Sequence, residues 1–370
     1  MHRRNKNLIS IRYPRYFFGI SMRVGVNGAG RIGRLFIKAA LDQLNRVKED
    51  LNRNKTLDVV HINEVNGKVF DVVHLLKYDS TQGPIHDNIS VLGDGSISYG
   101  GKHVSFSQFS MPGEIPWAKY GVDLVIECSG NNLTPEALEG HLQQGAKKVL
   151  VSAPIKSKKI LNLVYGVNHT QYDRRHHNIV TASSCTTNCI APAIMVLQEK
   201  FGIQRGQITT IHNPTNTNLV VDAIHKDPRR ARSALMNLIP TTTGSARIIG
   251  SIFPELAGKL DGHAVRVPTL NSSLTDCVFS LKTKVSVDEV NNELRQYSKG
   301  SLKGILGVES APLVSSDFLG DSRSCIVDLP STLVTDNRLL KLYLWYDNEA
   351  GYACRLADLA FHMMKKVRRK

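Results

Sequence analysis

Apolar positions repeat along the first half of the chain in two alternating rhythms. A short apolar run at 23–27 gives way to a glycine-rich turn, after which Ile32, Leu35, Phe36, Ala39, Ala40, Leu44, Val47 and Leu51 recur at the spacing of one helix face. A second apolar run follows at 57–62. Strand, turn, helix and strand in that order make one crossover unit of a parallel sheet. Runs at 122–127 and 148–151 predict two further strands, with Thr134-Pro135-Glu136 opening a short helix between them that ends near Gly145. The alternation persists to about residue 184. Beyond it, longer β-branched and polar runs such as 207–211 and 275–285 predict a second unit of mixed sheet and helices, from about 185 to 347. The stretch 352–366 regains helical spacing and is expected to return to the first unit. The fold class is therefore α/β: a doubly wound parallel sheet of Rossmann type, plus an α+β unit with a mixed or antiparallel sheet.

Length and charge narrow the picture without changing it. The 370 residues suffice for two domains with large cores, and no run of about 18 uncharged apolar residues marks a membrane span. The net charge of +15 is concentrated at the ends, which supply +10 of it: Arg3, Arg4, Lys6, Arg12 and Arg15 at one, and Lys365, Lys366, Arg368, Arg369 and Lys370 at the other. These read as solvated tails, with a polyanion-binding arm as the alternative. Residues 1–21 form a basic extension. They resemble a presequence in being Arg-rich and acid-free, but Met22 directly precedes the first strand, so an upstream-extended start explains them equally. Six scattered cysteines point to free thiols in a reducing, cytoplasmic setting.

The chemistry begins at Gly28-x-Gly30-x-x-Gly33, placed between a strand and a helix. Such glycines permit a tight turn and let backbone N–H groups approach a pyrophosphate at a helix N-terminus. Asn63-Glu64 ends the second strand, where a carboxylate would accept from two ribose hydroxyls and repel a 2′-phosphate. That favours NAD over NADP, without removing NADP, although Glu64 lies 31 residues beyond Gly33 rather than the usual ~20.

Cys185 follows a predicted strand and opens a predicted helix, where the helix dipole is expected to lower its pKa and favour a nucleophilic thiolate. Pro192 is expected to kink or delay that helix. An inert buried thiol is the commoner fate of a cysteine, and Cys185 with Cys189 lacks the partners a zinc site needs, so no metal is expected. His212 ends the strand at 207–211 and opens a polar loop; loop capping and service as a base are both open to it.

Several separated motifs together resemble the phosphorylating glyceraldehyde-3-phosphate dehydrogenase family. They are 27–34 (NGAGRIGR), 76–80 (LKYDS), 183–189 (SSCTTNC), 229–232 (RRAR), 240–244 (PTTTG), 265–268 (VRVP) and 345–349 (WYDNE), and the likeness runs from Met22 to about Met364. The resemblance implies that Cys185 adds to an aldehyde, that His212 is its base, and that inorganic phosphate cleaves the resulting thioester. It implies dinucleotide contacts at Gly28, Gly30, Arg31, Ile32, Gly33, Asn63, Glu64, Ser129, Gly130, Ser152, Asn348 and Tyr352. It also implies two anion sites: Arg266 with Thr215 for the substrate's phosphate, and Arg230 with Ser184, Thr186, Thr243 and Gly244 for the attacking anion. Arg229 and Arg232 are expected to be structural ion-pair partners. A homotetramer follows from the same resemblance, with 22–184 and the C-terminal helix at 348–370 as the NAD-binding unit and 185–347 as the catalytic one.

The chain also departs from the family's pattern. Glu64 replaces the usual ribose aspartate, the arginine usual before the Ile-Pro-Trp segment has no counterpart in 109–112, Ile224 stands for a proline, and Thr217 stands for an acid near the sugar phosphate. The loop at 211–218, with Leu306-Gly307 and 345–354, is similar to a branch associated with organoarsenical efflux, in which arsenate replaces phosphate and the product is 1-arseno-3-phosphoglycerate. Erythrose-4-phosphate dehydrogenase, and a nucleic-acid-binding protein on a dehydrogenase scaffold, are the alternatives.

Overall fold

The computed structural model describes residues 20–49, 55–84, 88–157 and 159–364, so the basic C-terminal tail and all but the end of the N-terminal extension lie outside the described residues. The first sheet contains β1 (Ile20–Asn27), β2 (Lys55–Asn63), β3 (Ile89–Val91), β4 (Ile97–Tyr99), β5 (Lys102–Ser107), β6 (Leu124–Glu127), β7 (Lys148–Val151), β8 (Leu161–Asn162) and β9 (Ile179–Thr181). Its helices are α1 (Arg31–Glu49), α2 (Val69–Lys77) and α3 (Pro135–Gln143). The strand order β3-β4-β5-β2-β1-β6-β7-β9-β8 shows the chain winding outward from β1 through β2 to β5, then in the other direction from β6. That reversal puts a crevice at the carboxyl ends of β1 and β6, the place where an open parallel sheet binds ligands. β1 starts at Ile20, paired with Lys55, so the strand takes up two residues before Met22.

The second sheet is mixed and follows helix α4 (Cys185–Lys200). It comprises β10 (Ile203–His212), β11 (Ile239–Thr242), β12 (Leu260–Arg266), β13 (Ser273–Leu281), β14 (Leu306–Glu309), β15 (Cys325–Asp328), β16 (Leu333–Thr335) and β17 (Leu339–Tyr346), with α5 (Ser245–Ile252) and α6 (Val287–Lys299). β13 alternates buried and partly exposed residues along its whole length, the mark of a sheet with one face on a core. Helix α4 supplies that core with Ile190, Ala193, Ile194 and Leu197, all fully buried. Pro192 lies inside α4 and does not delay its start at Cys185, a correction to the expected delay. The final helix, α7 (Ala350–Met363), packs its Leu356, Ala357, Leu359 and Ala360 into the core of the first sheet, so the chain ends on the unit where it began.

Candidate active site

The turn from β9 into α4 is held at both ends. Ser184 caps the helix, its hydroxyl accepting from the Thr187 amide at 3.0 Å, while the Asn188 side chain donates to the carbonyls of Ala182 (2.8 Å) and Ser184 (2.9 Å). Ser183, in the left-handed region at φ 57°, makes the corner, and the buried Tyr352 hydroxyl donates to its carbonyl at 2.9 Å. Cys185 is thereby fixed as the first residue of α4.

His212 reaches the thiol from the other sheet. It is the last residue of β10, where the parallel register with β12 sets it beside Arg266. Its Nε2 lies 3.6 Å from the Cys185 Sγ. On the far side of the ring, Arg266 Nη1 lies 2.7 Å from Nδ1 and donates to the Asn213 carbonyl at 2.9 Å, and that carbonyl is itself 2.8 Å from Nδ1. Arg266 can only donate, so its approach to Nδ1 and a proton on Nδ1 exclude each other; with the guanidinium displaced, Nδ1–H donates to Asn213 and leaves the Nε2 lone pair facing the thiol, which is the form a base requires.

The charge state differs from the thiolate expected of a helix N-terminus. Burial pushes the Cys185 thiol above its ordinary range, and the Arg266 charge with hydrogen bonds at Thr186 and the helix start pull it down without overcoming that. Burial, followed by the Arg266 charge, pushes the His212 imidazole down to about 3. The pair therefore stands as thiol and neutral imidazole, ready to move a proton between them as a bond forms at sulfur.

Around this pair the expected anion-binding residues fall into two groups, not in the expected pairing. Ser184 and Thr243 meet through a residue that sequence reasoning missed: Ser245 Oγ lies 3.0 Å from both hydroxyl oxygens. Gly244 sits beside them at the start of α5 with open space where a side chain would stand. Thr186 lies at the thiol, where its side chain and backbone both hydrogen-bond Cys185. Its Oγ1 lies 3.0 Å from the Tyr346 hydroxyl, which is also 2.8 Å from Thr210 Oγ1, so burial of three hydroxyls is satisfied by mutual bonding. Thr215 Oγ1 contacts Thr217 Oγ1 at 3.1 Å, and Arg230 Nη1 donates to Thr217 at 2.8 Å, so Thr215 is linked to Arg230, whose charge in turn acts on Arg266. Arg230 also pairs with Asp227 and Arg232 with Asp222. Arg229, expected to form an ion pair, makes none among the described residues; its backbone amide donates to Asp227. Among the described residues Arg266 has no partner for its buried Nε–H, a donor that an anion could engage.

The nucleotide crevice lies at the carboxyl ends of β1 and β6. Gly28 has φ 93°, and a Cβ there would lie 2.6 Å from the Ser129 amide; one on Gly33 would lie 2.0 Å from the Gly28 carbonyl oxygen. Gly30 faces open space, a cradle that a side chain would fill. Gly130, at φ 74°, is equally open, and the Ser152 amide donates to the Glu127 carbonyl on the neighbouring strand end. Ile32 packs as a partly buried residue on the first core. Asn63 donates to the Asn27 side chain (2.8 Å) and to the Phe109 carbonyl (2.9 Å), bracing the turn from below. Glu64 is held by amides from both sides, accepting from Ala29 at 2.7 Å and Asn66 at 2.8 Å. The Arg31 side chain points away from the cradle to ion pairs with Asp79 and Glu349. Asn348 accepts from the Ser273 hydroxyl at 3.2 Å, which fixes its amide and leaves the NH₂ group to donate elsewhere. An open glycine, exposed loop amides and an oriented carboxamide fit a pyridine dinucleotide.

Residues 22–135 match the glyceraldehyde 3-phosphate dehydrogenase NAD binding domain, and residues 184–348 match the glyceraldehyde 3-phosphate dehydrogenase C-terminal domain. The chain is 48% identical over 342 residues to glyceraldehyde-3-phosphate dehydrogenase 3 of Nostoc, an alignment covering 92% of this chain and 98% of the relative. It belongs to the glyceraldehyde-3-phosphate dehydrogenase family. Glyceraldehyde-3-phosphate dehydrogenase 1 of Bacillus cereus is 44% identical over 344 residues, covering 93% of this chain and 99% of its own length. The enzyme of the same name from Geobacillus stearothermophilus is 43% identical over 347 residues, covering 94% and 99%. As a member of this family the chain is an NAD-linked oxidoreductase. Among the described residues, no helix is long and apolar enough to cross a membrane.

Proposed function

We propose that the chain oxidises D-glyceraldehyde 3-phosphate with NAD and couples the oxidation to attack by inorganic phosphate, giving 1,3-bisphosphoglycerate. The observation that carries this reading is the 3.6 Å contact of Cys185 Sγ with His212 Nε2, backed by Arg266 on the opposite ring nitrogen. The thiol adds to the aldehyde carbon as its proton passes to Nε2, and that proton then moves to the former carbonyl oxygen to complete a thiohemiacetal. His212 next accepts the hydroxyl proton as the thiohemiacetal becomes a thioester; a dinucleotide held at the glycine turn would supply the hydride acceptor for that oxidation. The thioester that results is attacked by the oxyanion, the thiolate departs, and it regains its proton from the imidazolium.

Arg266 and Thr215 are assigned to the substrate's phosphate, and Arg230, Ser184, Thr186, Thr243 and Gly244 to the attacking anion. The buried unpartnered Nε–H of Arg266 supports the first assignment, and the Ser184–Ser245–Thr243 hydroxyl cluster supports the second. The Thr186 hydroxyl, beside the Cys185 thiol and bonded to Tyr346, borders the same place. Gly28, Gly30, Arg31, Ile32, Gly33, Asn63, Glu64, Ser129, Gly130, Ser152, Asn348 and Tyr352 are assigned to the dinucleotide, Arg31 through its backbone and Tyr352 through the turn it braces. Residues 22–184 with the C-terminal helix form the NAD-binding unit and 185–347 the catalytic one.

Arsenate is proposed as a second attacking oxyanion, because it shares charge and tetrahedral shape with phosphate and would meet the same donors. A cytoplasmic homotetramer is proposed as the working assembly. Its support is the segment carrying Val220, Val221, Ile224, Leu235, Met236 and Leu238, whose apolar side chains are exposed in the single chain. NADH formation from glyceraldehyde 3-phosphate, with phosphate or arsenate and with erythrose 4-phosphate as the rival aldehyde, tests the reading. A Cys185→Ser variant that retained the wild-type rate would overturn it.

A further inference from the structure

Behind the glycine turn lies a carboxylate for which the chemistry above has no use. Glu127, the last residue of β6, is 1% exposed, and among the described residues no lysine or arginine pairs with it. Isolated burial of a carboxylate costs several kcal/mol. The structure offsets that cost with N–H donors alone. Asn27 donates to Oε2 at 2.6 Å, His141 to Oε2 at 2.9 Å, Asn132 to Oε2 at 3.2 Å, and the Ser129 amide to Oε1 at 2.7 Å.

Three of these donors cannot reverse. The Ser129 amide only donates. The Trp117 indole N–H donates to His141 Nδ1 at 3.0 Å, so the neutral ring carries its proton on Nε2 and must donate to Glu127. Asn63 is oriented by the Phe109 backbone, accepting from its N–H and donating to its carbonyl, both at 2.9 Å. Asn63 therefore donates to Asn27 Oδ1 at 2.8 Å, and the Asn27 NH₂ group faces Glu127. A proton on Glu127 would find an acceptor only if the Asn132 carboxamide turned over, so the three fixed donors favour the anion.

The donors come from separate parts of the chain around the switch point: Asn27 ends β1 immediately before Gly28 and pairs in register with Glu127 at the end of β6, Ser129 opens the loop after β6, and His141 belongs to α3. Gly28 and Ser129 are in direct contact, as the 2.6 Å approach of a Cβ at Gly28 to the Ser129 amide shows. We propose that Glu127 is a positioning residue of the dinucleotide site: its uncompensated carboxylate gathers the ends of β1 and β6 and sets the spacing between the Gly28 turn and the Ser129–Gly130 turn. The inference rests on the NAD site described above and adds to it a residue that touches neither cofactor nor substrate.

Glu127→Gln tests it. Either orientation of the carboxamide turns an NH₂ group toward an N–H donor, and the less crowded orientation sets it against the Ser129 amide. The expected result is a rise of roughly tenfold in the Kd and KM for NAD, with kcat and the KM for the aldehyde within about twofold of wild type. Asn132→Ala removes one donor from a partly exposed loop. It is expected to raise the NAD constants about two- to threefold with an unchanged melting temperature, and it decides the question if Glu127→Gln fails to fold. A folded Glu127→Gln enzyme with the wild-type Kd for NAD would overturn the proposal. So would one in which kcat and both KM values move together, as would Asn132→Ala showing no change in NAD binding if Glu127→Gln is lost. If both variants lack activity on glyceraldehyde 3-phosphate altogether, the NAD Kd still reads the positioning role separately from the proposed reaction.

Discussion

The guanidinium of Arg266 touches the imidazole of His212 on the ring nitrogen remote from the thiol, with Nη1 2.7 Å from Nδ1. One arginine thus borders both the base and the place proposed for the substrate's phosphate. It lies deep enough that burial lowers its own pKa. An anion that engaged its free Nε–H would draw the guanidinium toward itself and free Nδ1 to donate to the Asn213 carbonyl.

Arg266→Lys keeps the charge but has one donor centre where the fork has several. A lysine ammonium cannot meet the Asn213 carbonyl and a phosphate with the same geometry. The expected outcome is a fall in kcat of about 10²-fold, with a raised KM for the aldehyde and an NAD Kd within twofold of wild type. Steady-state kinetics with NAD and the aldehyde varied separately check it.

The Cys185 thiol is raised by burial and His212 is lowered to about 3, so the empty site should hold a neutral pair across the physiological range. Alkylation by iodoacetamide follows the thiolate fraction, and for a raised thiol that fraction climbs about tenfold per pH unit up to the pKa. The rate at Cys185 is therefore expected to rise steadily from pH 6 to 9. A plateau below pH 7 would mean a thiolate–imidazolium pair and would contradict the neutral state. Peptide mapping of the labelled cysteine makes the measurement specific to position 185.

The features legible in the sequence were those set by neighbours along the chain. The glycine turn of 28–33, the helix that opens at Cys185 and the strand that ends at His212 are local signals, and each element formed where its spacing placed it. What the sequence hid depends on residues brought together by folding. The Thr186 hydroxyl meets Tyr346, 160 positions away. The Arg31 side chain serves Glu349, 318 positions away, and Asp79. The Cys185 thiol escaped the helix-dipole argument because that argument counts the helix alone, whereas the packing of two sheets around the sulfur supplies the larger, opposing effect.

His61 gives a pH-dependent contribution to stability that is independent of catalysis. Its ring stacks on Tyr120 at 3.9 Å and lies between Ser105 and Ser107, and burial, with Lys119 adding to it, lowers its pKa from 6.5 to about 3. The unfolded chain binds a proton below pH 6.5 that the folded one refuses until near pH 3. Stability from this group is therefore complete above pH 6.5 and is lost as the pH falls toward 3. Between pH 7 and 5 that loss amounts to about 2 kcal/mol. His61→Gln should lose about 2 kcal/mol less than wild type over that interval in urea unfolding followed by fluorescence. Equal losses in the two proteins would show that His61 is charged in the folded state.

The three glycines of the nucleotide turn should fail in different ways when given a methyl group. At Gly33 a Cβ would lie 2.0 Å from the Gly28 carbonyl oxygen, a backbone atom that cannot step aside without moving the start of α1 against β1. Gly33→Ala is expected to lower the melting temperature by several degrees and to abolish NAD binding with it, since overpacking against backbone costs about 1–3 kcal/mol or more. At Gly28 the clash with Ser129 is compounded by φ 93°, so Gly28→Ala should be at least as damaging. Gly30 meets nothing within 4 Å. Gly30→Ala should therefore melt within about 1 °C of wild type, yet its methyl group stands where a pyrophosphate would approach the loop amides, and the Kd for NAD should rise by about tenfold or more. Thermal unfolding with and without NAD separates the cases: Gly33→Ala loses stability in both conditions, whereas Gly30→Ala loses only the stabilisation that NAD confers. An unchanged NAD affinity in Gly30→Ala would mean that the dinucleotide does not lie over this turn.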